Sequence, residues 1–524
     1  MDNLEKTRFV LSAFAIFLCL VLVVGFAQIG INPNTPNPPA FPAVISAQPQ
    51  ANAGPDCASF PADRCPSSCT VCPPCEACSS ISCNTETFCQ SIGFNRSWYA
   101  QIQENLANAP QNKTIEPVVN QDVGSLTYVS SFENGTRYAT QNGKFAVLDL
   151  HGSFREMGRQ YGYLMRDEMQ QAYKKTMFET AKMGMTPEQV DQSSEFLYQS
   201  NSEKYVELMQ GMSETSGLSF QEQKRLNGGV ISLIDAYIFK AMSEQNSTSS
   251  KLEQNATSPK PVQNATTLKQ TACSGVAFWG NYSKDGKLYF GRNWDMVQSL
   301  LSPYLPYMTV AVYHPDSGNT VANLEWIGEV YTETAMNDQG LFLELNNGGH
   351  SDPGHYPGRV FAGTKLFDFM LDSSDMNDIS REFNTTLASD SYLIQVADKN
   401  QAYSYEWPTF GANRRSENVS GLLVAYNDFV PPYPSEWEGK VRPANPADLR
   451  RSNFLSMANS PTYKGKMDVE LMKQFLNVSF KDGGGKIPDN VYQVIAVPED
   501  YKMYLHGQNY SGWEEVDLKP LFGK

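Results

Sequence analysis

Positive charge, histidine and phosphate-gripping glycine loops are all scarce in this sequence. Its 524 residues carry 41 Lys and Arg against 56 Asp and Glu, a net charge of −15. No basic stripe breaks that balance, so the surface repels phosphate backbones and a nucleic-acid partner is not expected. Only 5 histidines are present. His350 and His355 flank a Ser-Asp-Pro-Gly loop, while His151, His314 and His506 show no ligand spacing, so no metal and no organic cofactor is expected. Long apolar runs are missing except for one, Phe9–Ala27, which is interrupted only by Ser12. Cysteine is missing from most of the chain. Of 10, Cys19 lies in the apolar run, eight crowd between residues 57 and 89, and Cys273 stands alone.

What is present organises the chain. Lys6 and Arg8 precede the apolar run and no Lys or Arg follows until Arg64. The reading is a cytoplasmic tail over 1–8 and a transmembrane signal-anchor over 9–31, with the body on the extracytoplasmic side. The alternative is a signal peptide cleaved near Ala27 and a secreted body. Asn-x-Ser/Thr sites at Asn95, Asn112, Asn134, Asn246, Asn255, Asn264, Asn281, Asn384, Asn418, Asn477 and Asn509 fit export, where such sites accept glycans. A Pro/Ala/Asn linker spans 32–56. Residues 57–90 form a Cys-rich module, with Cys57, Cys65, Cys69, Cys72, Cys75, Cys78, Cys83 and Cys89 as disulfide candidates. The even count in an exported segment favours disulfides over the metal-like Cys-x2-Cys spacing of Cys69 to Cys78.

Residues 91–138 read as a linker region. A strand is predicted over Lys144–Leu150, then helices over about 154–183, 187–214 and 220–242, so that 139–242 forms the helical part of a catalytic domain. Residues 243–272 are polar, carry three sequons and lack periodicity. They read as a flexible, glycosylatable segment ahead of Ala272-Cys273. The remaining 273–524 is strand-rich. Strands are predicted at 274–280, 287–293, 307–313, 320–327, 329–336, 341–345, 392–397, 402–407 and 422–425, and helices near 364–371, 446–458 and 468–476. The class is α+β.

The lone cysteine carries the chemistry. A thiol that attacks an amide needs a base and an oxyanion hole. A nucleophile's own α-amine, with a free pKa of about 7.7–8.0, can be that base once the preceding peptide bond is cut. Cys273 stands where this requires, at the start of an apolar strand behind a mobile segment and small Ala272. The bland reading of a lone Cys is burial in a core strand.

Several stretches carry a resemblance. Gly152-Ser-Phe-Arg-Glu156-Met157-Gly158-Arg-Gln-Tyr-Gly162 precedes the cleavage point. Cys273-Ser-Gly-Val-Ala and Gly291-Arg292-Asn293-Trp294-Asp295 form a strand pair. Asn337-Asp-Gln-Gly340 leads into Asn346-Asn347-Gly348, and Val424-Ala-Tyr-Asn427 and Asp448-Leu-Arg450-Arg451 follow. In order and spacing these resemble the isopenicillin N acyltransferase-like group of N-terminal-nucleophile (Ntn) hydrolases, relatives of choloylglycine hydrolases and penicillin V acylases, from about residue 140 to 480. The resemblance implies an αββα four-layer sandwich and an amidohydrolase or acyltransferase acting on linear amides of small molecules. It implies self-cleavage at Ala272–Cys273, with Cys273 as nucleophile. Asp295 would balance the new α-ammonium, and Arg292 would sit beside the thiolate. Alternation puts those two on opposite strand faces, so a bulge or strand end is needed. Asn427 would donate its side-chain amide to the oxyanion and Asn347 its backbone N–H, with Asn346 an alternative to Asn347. Arg450 would fill the late Arg position, with Arg451 an alternative. The Gly158/Gly162 spacing reads as close helix packing and is assigned no catalysis. Two other functions compete: a non-catalytic glycosylated surface protein, and an unprocessed thiol hydrolase pairing Cys273 with His350 or His355. Nothing in the sequence fixes the oligomeric state.

Overall fold

The computed structural model describes Cys57, residues 69–72, 82–85, 87 and 89, and residues 121–524 except 235, 238, 239, 241–272 and 357. The expected anchor, the 32–56 linker and the 243–272 segment with Ala272 lie outside the described residues. So do Cys65, Cys75, Cys78 and the sequons at Asn95, Asn112, Asn246, Asn255 and Asn264. Among the described residues no helix is long and apolar enough to cross a membrane.

The chain divides into two units, one within 21–119 plus 219–221 and one that includes 120–218 and 222–524. In the first, β1 (Thr70–Cys72) pairs antiparallel with β2 (Ser82–Asn84). Cys57 and Cys69 form a disulfide, and Cys83 and Cys89 are also disulfide-bonded. Cys69, first of the Cys-x2-Cys run, is therefore no thiolate ligand.

In the second unit, β3 (Thr127–Phe132), β4 (Gly135–Ala139) and β5 (Ala146–Gly152) come first. The linker reading of 91–138 is thus corrected over its last residues. Gly135 faces Gln160 and lets two short, poorly patterned strands join a sheet edge. Helices α1 (Phe154–Leu164), α2 (Arg166–Lys182), α3 (Pro187–Gln199) and α4 (Glu203–Ser216) follow. Two predicted long helices are each broken, at Met165 and at 200–202. Neither break carries the Pro or Gly that would announce it. Ser153 and Glu156 cap α1 reciprocally, as do Thr186 and Gln189 in α3, which has Pro187 at its first position.

The glycine signature proves to be a packing device. A Cβ on Gly158 would lie 2.2 Å from the Leu208 carbonyl oxygen, and one on Gly162 would lie 2.4 Å from that of Met212, both on α4. Gly211 on α4 returns the fit against Arg155 of α1. Backbone cannot yield as a flexible side chain does. Gly158→Ala is therefore expected to cost about 1–3 kcal/mol or more, read as a lower urea midpoint without change in slope.

Two sheets then face each other. The ten-stranded sheet runs β14-β13-β12-β11-β10-β9-β8-β5-β4-β3. Its later strands are β8 (Met308–Pro315), β9 (Val321–Trp326), β10 (Thr334–Asn337), β11 (Phe342–Asn347), β12 (Tyr392–Ala397), β13 (Ala402–Trp407) and β14 (Asn413–Arg415). Among its described strands, β5 and β8 are the one pair that runs in parallel. The six-stranded sheet runs β15-β6-β7-β16-β17-β18. It is built from β6 (Ser274–Phe278), β7 (Tyr289–Asp295), β15 (Leu422–Ala425), β16 (Asn490–Val497), β17 (Lys502–Gly507) and β18 (Glu514–Asp517). Phe290 of β7 meets Phe342 of β11 at 5.1 Å between ring centres, and Trp294 meets Trp326 at 5.8 Å, so the core lies between the sheets. Outside the larger sheet, α5 (Ala362–Asp372) is tied to β10 by Asn337, whose amide donates to the Met370 and Ser373 carbonyls. α6 (Met376–Thr385) packs beside it through Phe383 against Phe369. Outside the smaller sheet, α7 (Arg450–Ala458) and α8 (Val469–Asn477) place Phe454 and Phe475 against Phe278. A Cβ on Gly291 would meet Met472 and Leu476 of α8. Strand 329–336 shortens to β10, and 329–333 runs as an irregular segment in which Glu329 is buried and Glu333 half-buried.

Candidate functional site

Cys273 sits one residue before β6 and is buried, at 2% exposure. Its strand is held on both sides. Ser274 pairs with Asn293 of β7, and Gly275 pairs with Ala425 of β15. Continuing the β15 register by two residues brings Asn427 alongside Cys273. Alternation puts Cys273 on the inter-sheet face with Gly275, where a Cβ would lie 2.1 Å from Glu344 Oε1. The thiol lies 3.9 Å from the Asp295 carbonyl oxygen, at the limit of a weak S–H bond. Burial pushes its pKa up to about 12. Arg292 pulls against that and Asp295 adds to it.

Arg292 is fully buried between the sheets. Its Nη1 donates to the Glu333 carbonyl at 2.6 Å and to the Thr334 hydroxyl, and its Nη2 donates to the Leu345 carbonyl at 2.6 Å. Its Nε stands 2.9 Å from Glu344 Oε2 as a charge pair, though neither atom is aligned for a hydrogen bond. The pair is therefore Coulombic rather than a directed fork. Burial pushes the Glu344 carboxyl up to about 7 against the pull of Arg292.

Asp295 ends β7, on the opposite alternation from Arg292. A register shift between Asn490 and Tyr492 in β16 lies directly across from it. This is the strand end and bulge that the pairing of roles requires. Asn490 Nδ2 donates to Asp295 Oδ1 at 2.8 Å, while Asp295 Oδ2 is buried and has no hydrogen-bond partner among the described residues. Burial raises the Asp295 pKa to about 7, opposed by Asn490, Arg450 and Arg292.

Arg450, at the start of α7, closes the other side. Its Nη1 donates to the Cys273 carbonyl at 2.8 Å, its Nη2 to Asn427 Oδ1 at 3.0 Å, and its Nε to Asp448 Oδ1 at 2.8 Å. Asn427 Nδ2 in turn donates to the Asn347 carbonyl at 2.8 Å. The second N–H of that amide is the one available to an oxyanion. Cys273, Asp295, Arg292, Asn427, Asn347 and Arg450 are thus drawn into one cluster, buried except for the half-buried Asn347. Of the alternatives, Arg451 lies away from this cluster, whereas Asn346 borders it through Glu344. Arg451 pairs with Glu417 at 2.6 Å, and Asn346 points between the sheets to Gln395 and Glu344. His350 is engaged by Asp428, which raises its pKa, and His355 lies 2.7 Å from Asp390. The groups acting most strongly on the thiol are Arg292, Asp295 and Glu333, with no histidine among them.

Three contributors escaped the sequence reading. Asn490 lies on β16, a strand buried on both faces and so lacking alternation. Glu344 was passed over inside an apolar stretch, where its inward position was the available signal. Glu333 accepts from Trp294 Nε1 at 2.6 Å. With Glu325, Glu329, Trp326, Leu345 and Tyr492 it lines an inter-sheet cavity of about 20 Å³, room for roughly one water. All six described sequon asparagines, Asn134, Asn281, Asn384, Asn418, Asn477 and Asn509, are exposed.

No protein-family model matches the chain, and no curated protein matches it. Among solved structures, a Caenorhabditis elegans N-acylethanolamine-hydrolyzing acid amidase ortholog is 17% identical, covering 43% of this chain and 93% of its own, with a TM-score of 0.31. A conjugated bile acid hydrolase variant from Clostridium perfringens is 12% identical, covering 48% and 95%, with a TM-score of 0.35. Penicillin V acylase from Agrobacterium tumefaciens is 12% identical, covering 47% and 86%, with a TM-score of 0.32. At such TM-scores these likenesses decide neither the fold nor the activity of this chain.

Proposed function

We propose that the chain is a self-processing Ntn-type thiol amidohydrolase or acyltransferase, acting on linear amides outside a membrane to which residues 9–31 anchor it. The observation that carries the reading is the cluster around Cys273. A buried cysteine lies one residue ahead of β6, its carbonyl is held by Arg450, and Asp295, whose own backbone carbonyl is 3.9 Å from the thiol, has a buried carboxylate oxygen with no donor among the described residues. A buried acceptor without a donor is costly. An α-ammonium on Cys273 would supply the donor, and only cleavage creates one.

In the precursor, the Cys273 Sγ attacks the Ala272 carbonyl carbon. The C–S bond forms, the C–N bond breaks, and the thiol proton passes to the leaving nitrogen. Water then hydrolyses the thioester, giving an Ala272 carboxylate and a free Cys273 with both amine and thiol. In turnover the amine takes the thiol proton, which matters because burial holds that thiol far above neutrality. The thiolate attacks the substrate carbonyl. The second Asn427 N–H and the Asn347 backbone N–H receive the oxyanion. The substrate amine leaves with the proton, and water or a second amine takes the acyl group. The cavity lining, aromatic and aliphatic apart from three glutamates, favours a mainly apolar acyl group, which requires side chains to part.

The test is intact-mass and N-terminal analysis of the purified chain beside Cys273→Ala. The expected result is a new N-terminus at Cys273 in wild type alone, with amide turnover in the variant reduced by at least about a thousandfold. One uncut chain in both preparations would overturn the reading.

A further inference from the structure

Away from the thiol site, three metal-ligating side chains converge where β5 and β8 run in parallel. The register sets His151 directly beside His314, and Asp149 lies two residues before His151 on the same face. The two imidazole rings stack at 4.1 Å between centres, only 12° from parallel. Both turn Nε2 toward one carboxylate. His151 Nε2 is 3.2 Å from Asp149 Oδ2, and His314 Nε2 is 2.7 Å from Asp149 Oδ1. The donor atoms all lie within 4.8 Å of one another.

From this geometry we infer that Asp149, His151 and His314 form a binding site for a borderline divalent transition ion, zinc above all. Two imidazoles and a carboxylate are the donor set such an ion takes, and magnesium or calcium would want oxygens instead. Tetrahedral zinc with bonds of about 2.0–2.1 Å sets its donors about 3.3 Å apart, which these side chains approach without rearranging strands. The supports behind the donors are also in place. Thr320 Oγ1 lies 3.2 Å from His314 Nδ1, leaving Nε2 for the ion. The buried Gln160 side chain clamps the His151 backbone, accepting from its N–H at 2.9 Å and donating to its carbonyl at 2.8 Å. With three protein donors and His151 41% exposed, the fourth position opens to solvent. That is the arrangement of an exchangeable site rather than a closed structural one.

The experiment equilibrates the purified full chain with zinc and measures retained metal. His151→Ala/His314→Ala and Thr320→Val are run in parallel, and cobalt is substituted for zinc to read the ligand type. Wild type is expected to retain one zinc more per chain than the double variant. Its added cobalt should show no thiolate charge-transfer band, which separates this site from the cysteine module. Thr320→Val should keep the fold and weaken zinc about tenfold. Equal zinc in wild type and double variant, or no zinc held at micromolar concentration, overturns the site and leaves a hydrogen-bonded surface triad. If the double variant fails to fold, the cobalt spectrum and the Thr320→Val affinity decide. A thiolate spectrum, or an unchanged affinity, overturns the site equally.

Discussion

Arg292→Leu is expected to destabilise the catalytic body by about 3–5 kcal/mol, the cost of stripping one partner from a buried charge pair. Arg292 and Glu344 are both 0% exposed, and the guanidinium also satisfies two carbonyls and a hydroxyl from the facing sheet. Leucine fills part of the volume but leaves the Leu345 carbonyl short of its Arg292 donor, while the Glu333 carbonyl keeps only the Leu345 N–H at 2.9 Å. It also leaves Glu344 without its cation. The loss should be read as a lower urea midpoint in a Cys273→Ala background, so that cleavage state does not vary between samples. Adding Glu344→Gln distinguishes charge from packing. If the uncompensated carboxylate dominates, the neutral amide recovers a substantial part of the loss near pH 8. If the lost guanidinium donors to the two carbonyls dominate, it recovers almost none. An Arg292→Leu chain as stable as its parent would mean that the pair breaks even against apolar packing, and the view of Arg292 as the bolt between the sheets would fall.

How much of this was legible beforehand depends on what each residue's neighbours reveal. β12, β13 and β15 fall on the predicted residues, because Asp, Gly and Pro punctuate each end of a short apolar run. Cys273 drew notice through solitude, and the Arg292–Asp295 pair through the strand it shares. Asn490 did not, because β16 is buried along both faces and has no period to detect. The helix breaks at Met165 and 200–202 went unseen because they arise from packing between helices rather than from a local breaker. His151 and His314 show no ligand spacing in the sequence, and nothing there singles out Asp149. His314 lies 165 residues from Asp149 and meets it only through the one parallel pairing in the larger sheet. Spacing rules find ligands on one helix or hairpin. They are blind to ligands joined by a crossover.

The stability of the chain is expected to peak in mild acid and to fall as pH rises from about 5 to 8. The cause is the number of carboxyls buried without enough cations. Burial raises Glu325 to about 8, with Asn323, Tyr313 and Tyr161 opposing. It raises Glu329 well above its usual value, where Glu333 and Glu325 add their repulsion, and it raises Glu333 itself against the pull of Arg292. In the unfolded chain such groups titrate near about 4.3. Between there and their folded values the native state holds protons that the unfolded state has released. Stability must then decline as pH rises from the free carboxyl value toward the raised folded values. His350, raised by Asp428, acts in the same direction above its free pKa. Opposition comes from groups with lowered values. Asp149 and Asp448 withdraw their stabilisation once pH falls through their depressed pKa values, and His506 disfavours acid below its free pKa. The balance places the maximum close to the free carboxyl value rather than at neutrality. Thermal melting of the Cys273→Ala chain across pH 4 to 8 checks it, and Glu329→Gln should flatten the alkaline limb because that side chain no longer has a proton to lose. A midpoint that rose steadily toward pH 8 would mean that these carboxyls are ionised in the folded chain and that water or a cation reaches them.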